Sequence, residues 1–99
     1  MNRFERDLLL AIDVGNTNLT LGAFRGSELI QHWRLATRRH MTADELALNV
    51  EALFNLVDLG HPRERVAAAS AASVVPTLDR AIREWGDRYL GGNLLLVDR

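Results

Sequence analysis

The sequence predicts an α/β domain on a five-stranded mixed sheet in the order β-β-β-α-β-α-β, and three observations carry this reading. Apolar runs of strand length recur along the chain, and two longer segments carry apolar stripes at helical spacing. The first three strand segments are joined by links too short to hold a helix, so they form antiparallel neighbours. The last two strands are each reached across one helix, which makes strands one, four and five parallel through right-handed crossovers. With 99 residues, 47% of them hydrophobic and 25% charged, the chain suits one globular domain with one core.

After a polar start at Met1 to Asp7, Leu8-Leu9-Leu10-Ala11-Ile12 reads as a central strand buried on both faces and closed by Asp13. Asn18 to Phe24 reads as the second strand, and Arg25-Gly26-Ser27 as a turn. Glu28 to Leu35 follows, with Leu29, Trp33 and Leu35 on one face and Ile30, His32 and Arg34 on the other. Arg38-Arg39-His40 is a basic loop, the kind of charge run that solvent usually covers. Thr42-Ala43-Asp44-Glu45 then fits a capping box, with Thr42 as the N-cap and Glu45 reaching back. Leu46, Val50, Leu53, Phe54 and Val57 form the stripe of that helix, which Gly60 and Pro62 terminate. Val66 to Ala72 is a short run of small apolar residues suited to a buried strand. Ser73 and Pro76 open a second helix striped by Leu78, Ile82, Trp85 and Tyr89, Gly91-Gly92 ends it, and Leu94 to Val97 is the fifth strand. Trp33 and Trp85 both fall on these apolar stripes and are expected in the core.

Composition excludes several chemistries. There is no Cys, so disulfides, thiol nucleophiles and thiolate zinc sites are out. All twelve basic residues are Arg, so a P-loop lysine and Schiff-base chemistry are out as well. The three His are too far apart in sequence to share a helix face around a metal. A net charge of -1 draws the chain to neither nucleic acid nor anionic lipid, and neither partner is expected. The apolar run near the start has five residues, too few for a membrane span or a signal peptide, so a cytoplasmic location is expected.

The segment that could carry chemistry is Asp13-Val14-Gly15-Asn16-Thr17-Asn18, between the buried strand and the hairpin. Gly15 permits a positive φ and close backbone approach, so that successive N–H groups can line one concavity, to which Asn16, Thr17 and Asn18 add side-chain donors. Asp13, fixed by a strand, can take a hydrated magnesium ion that bridges phosphate oxygens. The same residues also suit a plain hairpin turn, and composition alone leaves the two readings open. Adjacent Asp44 and Glu45 point about 100° apart on a helix, which fits capping and dipole service better than a catalytic pair.

A-I-D-V-G-N-T-N resembles the first phosphate motif of type III pantothenate kinases, in the actin, sugar kinase and Hsp70 superfamily. His32-Trp33-Arg34-Leu35-Ala36-Thr37, Arg39 and Thr42-Ala43-Asp44-Glu45 resemble that family's next signature, and Ser73-Val74-Val75-Pro76 is similar to its S-V-V-P element. All three occur in the family's order. The resemblance implies a ribonuclease H-like or actin-like first domain, here spanning 1–99, and ATP-dependent phosphorylation of pantothenate, the first step of coenzyme A synthesis. It further implies magnesium, a monovalent cation (potassium or ammonium) and a homodimer or other self-association. By that analogy Asp13 organises the metal, and Asp13, Val14, Gly15, Asn16, Thr17 and Asn18 bind the ATP phosphates. The family's later G-A-D-R-like element, with its proton-accepting aspartate, and the adenosine motif of its second domain have no counterpart in the chain. Asp98-Arg99 lacks the Gly-Ala context, so no catalytic residue is assigned and the chain alone is expected to be inactive. The other readings are a fragment of another kinase of the superfamily and a non-catalytic interaction or regulatory module.

Overall fold

The computed structural model describes residues 6–97, so Asp98-Arg99 lies outside the described residues. The elements are β1 (Leu8–Val14), β2 (Asn18–Arg25), β3 (Glu28–Ala36), α1 (Ala43–Leu56), α2 (Pro62–Arg65), β4 (Val66–Ser73), α3 (Pro76–Tyr89) and β5 (Leu94–Val97). The strands form one sheet in the order β3-β2-β1-β4-β5. β1 pairs antiparallel with β2 and parallel with β4; β2 pairs antiparallel with β3, and β4 parallel with β5. The expected mixed sheet is therefore present, with β1 at its centre.

β1 is not buried on both faces. Leu8, Leu10, Ile12 and Val14 are at most 3% exposed, whereas Leu9 is 46% exposed and Asp13 is open to solvent. The core gathers Leu46, Val50 and Phe54 of α1 with Leu78, Ile82 and Trp85 of α3, so both helices cover one face of the sheet. A strand covered on one side alternates, and an unbroken apolar run in sequence does not reveal that the second side stays open. The open face carries Leu29, Phe24, Leu9 and Ala68 in one row of paired positions across the strands. Leu95 and Val97 extend it, on the opposite side of β5 from Leu94 and Leu96, which pack on the core. Gly22 belongs to this face because a Cβ there would stand 3.1 Å from Phe24 Cε1 and 3.2 Å from Leu29 Cδ1.

The expected faces of β3 need one correction. The register shifts between Ala23 and Phe24, so Ala23 faces Gln31 while Phe24 faces Leu29. This bulge reverses the alternation. Leu29 is consequently exposed and Ile30 packs on the core. Beyond it, Trp33 and Leu35 keep the inward face, and Trp33 stacks on Phe54 with ring centroids 5.6 Å apart, tying β3 to α1.

The capping box forms as expected: Glu45 N–H donates to Thr42 Oγ1 at 3.1 Å and Thr42 N–H donates to Glu45 Oε1 at 3.0 Å. The Thr42 N–H holds the Glu45 carboxyl below its ordinary range. At the other end α1 stops at Leu56, and the chain turns through Asp58 and Gly60, both at positive φ. Pro62 does not simply end that helix. It begins the one-turn α2, whose N-cap His61 accepts from the Arg63 N–H. α3 packs on β5 through Gly86, where a Cβ would come within 2.7 Å of Leu94 Cβ. Ala69 and Ala71 of β4 are buried on this same side, so small residues admit the helix to the sheet.

Ion pairing anchors the opposite end of the sheet. Asp7 accepts from Arg25 Nε at 2.8 Å and from Arg65 Nη2 at 3.0 Å, joining the end of β2 to α2. These two guanidinium groups, Arg25 first, lower its pKa. Among the described residues, no helix is long and apolar enough to cross a membrane.

Candidate functional site

Three segments far apart in sequence meet at the carboxyl ends of β1 and β4. The first is the hairpin turn after Val14, closed by Gly15 N–H donating to Asn18 O at 2.9 Å. Gly15 is not required for a positive φ, contrary to the sequence expectation; a Cβ there would stand 3.2 Å from the Asn18 carbonyl oxygen, so glycine serves the close approach. Its N–H is consumed within the turn rather than offered outward. Asn16 and Thr17 form the exposed tip, and Asn18 Nδ2 donates to Thr17 Oγ1 at 3.1 Å. Val14 contributes only backbone here, because its side chain is fully buried and its carbonyl accepts the Val74 N–H at 3.0 Å.

The second segment is the chain leaving β3. Thr37 N–H donates to Thr17 O at 2.9 Å, and its hydroxyl donates to Gly15 O at 2.7 Å. Arg39 Nη2 donates to Asn16 Oδ1 at 3.1 Å. The basic loop is exposed, as expected of a charge run, but Arg39 is bonded to the turn. The third segment is the β4–α3 junction, where Val75 N–H donates to Ser73 Oγ at 3.0 Å and Thr77 Oγ1 donates to Arg39 O at 3.2 Å. Each segment comes from a different motif of the sequence. The hydrogen bonds of Thr37, Arg39 and Thr77 to these neighbours were invisible to sequence reasoning, since they span 22, 23 and 38 positions.

Asp13 stands next to the turn on the open face, level with Thr20 of β2 and Ala72 of β4. Among the described residues no three His, Asp or Glu side chains are grouped to hold a metal. A single carboxylate beside side-chain donors is a set compatible with a hydrated divalent ion that completes its shell with water and phosphate. Asp44 is engaged elsewhere, accepting from Tyr89 Oη at 2.5 Å and pairing with Arg88 at 3.1 Å. That hydrogen bond raises the Tyr89 pKa. Tyr89 and Arg88 end a 14-residue helix whose first turn carries Thr77, bonded to the Arg39 carbonyl, a separation of about 20 Å at 1.5 Å per residue. An apolar groove of about 270 Å³, lined by Leu48, Pro62, Trp85 and Leu90 among others, also lies toward this far end. Its lining also includes Asp44, Glu51, His61 and Arg63.

Residues 9–99 match the family model described as type III pantothenate kinase. The chain belongs to the type III pantothenate kinase family. It is 40% identical over 90 residues to the type III pantothenate kinase of Brevibacillus brevis, an alignment covering 91% of this chain and 34% of that protein. The Moorella thermoacetica type III pantothenate kinase is 43% identical over 90 residues, covering 91% and 35%. The chain thus spans about a third of the length of the curated relatives it matches. Among solved structures, the ROK hexokinase of Thermus thermophilus superposes with a TM-score of 0.66 at 18% identity, over 92% of this chain and 35% of that one. A Bacteroides thetaiotaomicron protein with an actin-like ATPase fold gives 0.58 at 9% identity, over 96% and 34%. At such identities the likeness is one of fold, and it agrees with the actin-like architecture expected for this type III pantothenate kinase family member.

Proposed function

We propose that this chain supplies the phosphate-binding half of an ATP-dependent pantothenate kinase. The observation that carries the reading is the convergence of the Asp13–Asn18 turn, the Thr37–Arg39 segment and the Ser73–Thr77 junction at one end of the sheet, since each bears a motif of the family. In the reaction, the bond from the γ-phosphorus to its bridging oxygen breaks, a bond to the pantothenate hydroxyl oxygen forms, and that hydroxyl gives up its proton. Such a transfer depends on positioning and charge neutralisation. Asp13 would hold magnesium, which neutralises phosphate charge when bound. Asn16, Thr17 and Asn18 offer donors to the phosphate oxygens, and Thr37 fixes the turn by its two bonds to the Gly15 and Thr17 carbonyls. The group that accepts the proton, the adenine site, the pantothenate walls and the monovalent cation site are assigned to the rest of the enzyme.

Titration calorimetry tests the metal role. The native chain is expected to show weak, magnesium-dependent ATP binding, and Asp13→Asn to weaken it roughly tenfold or more, as loss of a charged ligand does. Equal binding by both proteins would remove Asp13 from the site.

The partner half has a place to pack. The open face joins Asp13 to Leu9, Leu29, Leu95 and Val97, each of these four hydrophobics at least 42% exposed. Apolar surface of that extent favours association. In the isolated chain, light scattering over a concentration series is expected to show self-association, and Leu95→Glu to reduce it. A strict monomer at every concentration would count against both the homodimer and this use of the face.

A further inference from the structure

Resting on the phosphate-binding reading above, we propose that Arg39 is a direct cationic contact of this chain to the polyphosphate of its ligand. In the sequence Arg38, Arg39 and His40 are a run of basic side chains, and although Arg39 falls within a family signature, nothing in its chemistry sets it apart from Arg38. The fold singles one out. Arg39 Nη2 lies 3.1 Å from Asn16 Oδ1 at the tip of the turn, and the Arg39 carbonyl accepts the Thr77 hydroxyl at 3.2 Å from the first turn of α3. The residue is thus held at its backbone by one wall of the site and at its guanidinium by the other. Thr37, two positions earlier, fixes the same strand exit with its bonds to Thr17 and Gly15.

The chemistry of the group fits. A guanidinium is planar, charged at every working pH and carries several N–H donors, so a bond to Asn16 leaves others for phosphate oxygens. Arg39 is exposed, and a ligand reaches it without any opening of the fold. It borders a hollow of about 230 Å³ together with Arg38, His40, Met41 and Glu45. The Glu45 carboxylate on that wall already accepts the Thr42 N–H and hydroxyl. The chain has no Lys, so the cationic role that an ammonium often takes at phosphate sites falls to Arg.

The test titrates the chain with magnesium ATP and with magnesium tripolyphosphate, which has no adenine, and follows the backbone amide resonances of Gly15 to Asn18. Arg39→Ala is expected to weaken both ligands roughly tenfold and to flatten the salt dependence of binding. Arg39→Lys should recover part of the loss, because it restores charge without the fork. Arg38→Ala removes the same charge one residue away and should change affinity less than about twofold. Equal losses in Arg38→Ala and Arg39→Ala, or no loss in Arg39→Ala, would overturn the assignment and leave the turn as the phosphate site. No response of the turn to either ligand in the native chain would overturn both the phosphate-binding reading and the role of Arg39.

Discussion

Mixed with a separately expressed second half from a close full-length relative, the chain is expected to restore ATP-dependent formation of phosphopantothenate, while the chain alone forms none. Phosphoryl transfer needs the γ-phosphate and the attacking hydroxyl held in line, and proximity of this kind is worth about 7–11 kcal/mol of barrier when both reactants are fixed. In the proposed division of labour, the residues gathered at the carboxyl ends of β1 and β4 would address only the phosphate. Asp44 bonds Tyr89 and Arg88 at the far end of α3, and Asp79 lies in the first turn of that helix, outside any motif that would assign it as a base. The readout is phosphopantothenate formed over time by the chain, by the second half and by the mixture, each with native Asp13 and with Asp13→Asn. Turnover by the chain alone that Asp13→Asn abolishes would overturn the half-enzyme account and send the search for a base to Asp44, Asp79 and Asp98. A mixture no more active than its parts would count against the proposed division of labour.

Trp85→Ala should be among the most damaging single changes to the fold. Trp85 is 2% exposed and sits among the core residues that α3 presses onto the sheet. Truncating a buried Trp costs about 3–5 kcal/mol in lost transfer energy and cavity, against a total stability of about 5–15 kcal/mol for a domain. Trp33 provides the contrast. It is half-buried on β3, where it stacks on Phe54 at the margin of the core, so Trp33→Ala is expected to cost about 2 kcal/mol or less. Urea unfolding followed by far-ultraviolet circular dichroism, whose signal comes mainly from the backbone, measures both. A smaller loss for Trp85→Ala than for Trp33→Ala would show that the core is not centred on the α3 contact.

Much of this architecture was legible because local chemistry enforces it. The capping box fixed where α1 begins, Gly91 and Gly92 supply the positive φ that turns the chain after α3, and the short links among the first three strands left antiparallel pairing as the expected course. The three motifs, in order, pointed to the type III pantothenate kinases before any contact was known. Other features depended on partners distant in sequence. That Leu8 is buried while Leu9 is half open follows from both helices packing on one face, and neither residue's identity encodes which side they choose. The exchange of Leu29 and Ile30 comes from a single bulge, which shifts register without a distinctive residue to announce it. Pro62 reads in the sequence as the end of the first helix, and the tertiary structure makes it the start of another. Arg38 and Arg39 are chemically identical in the sequence; only the fold brings one of them to Asn16, because a hydrogen bond across 23 positions is set by how the strands and α3 converge and not by either neighbour's side chain.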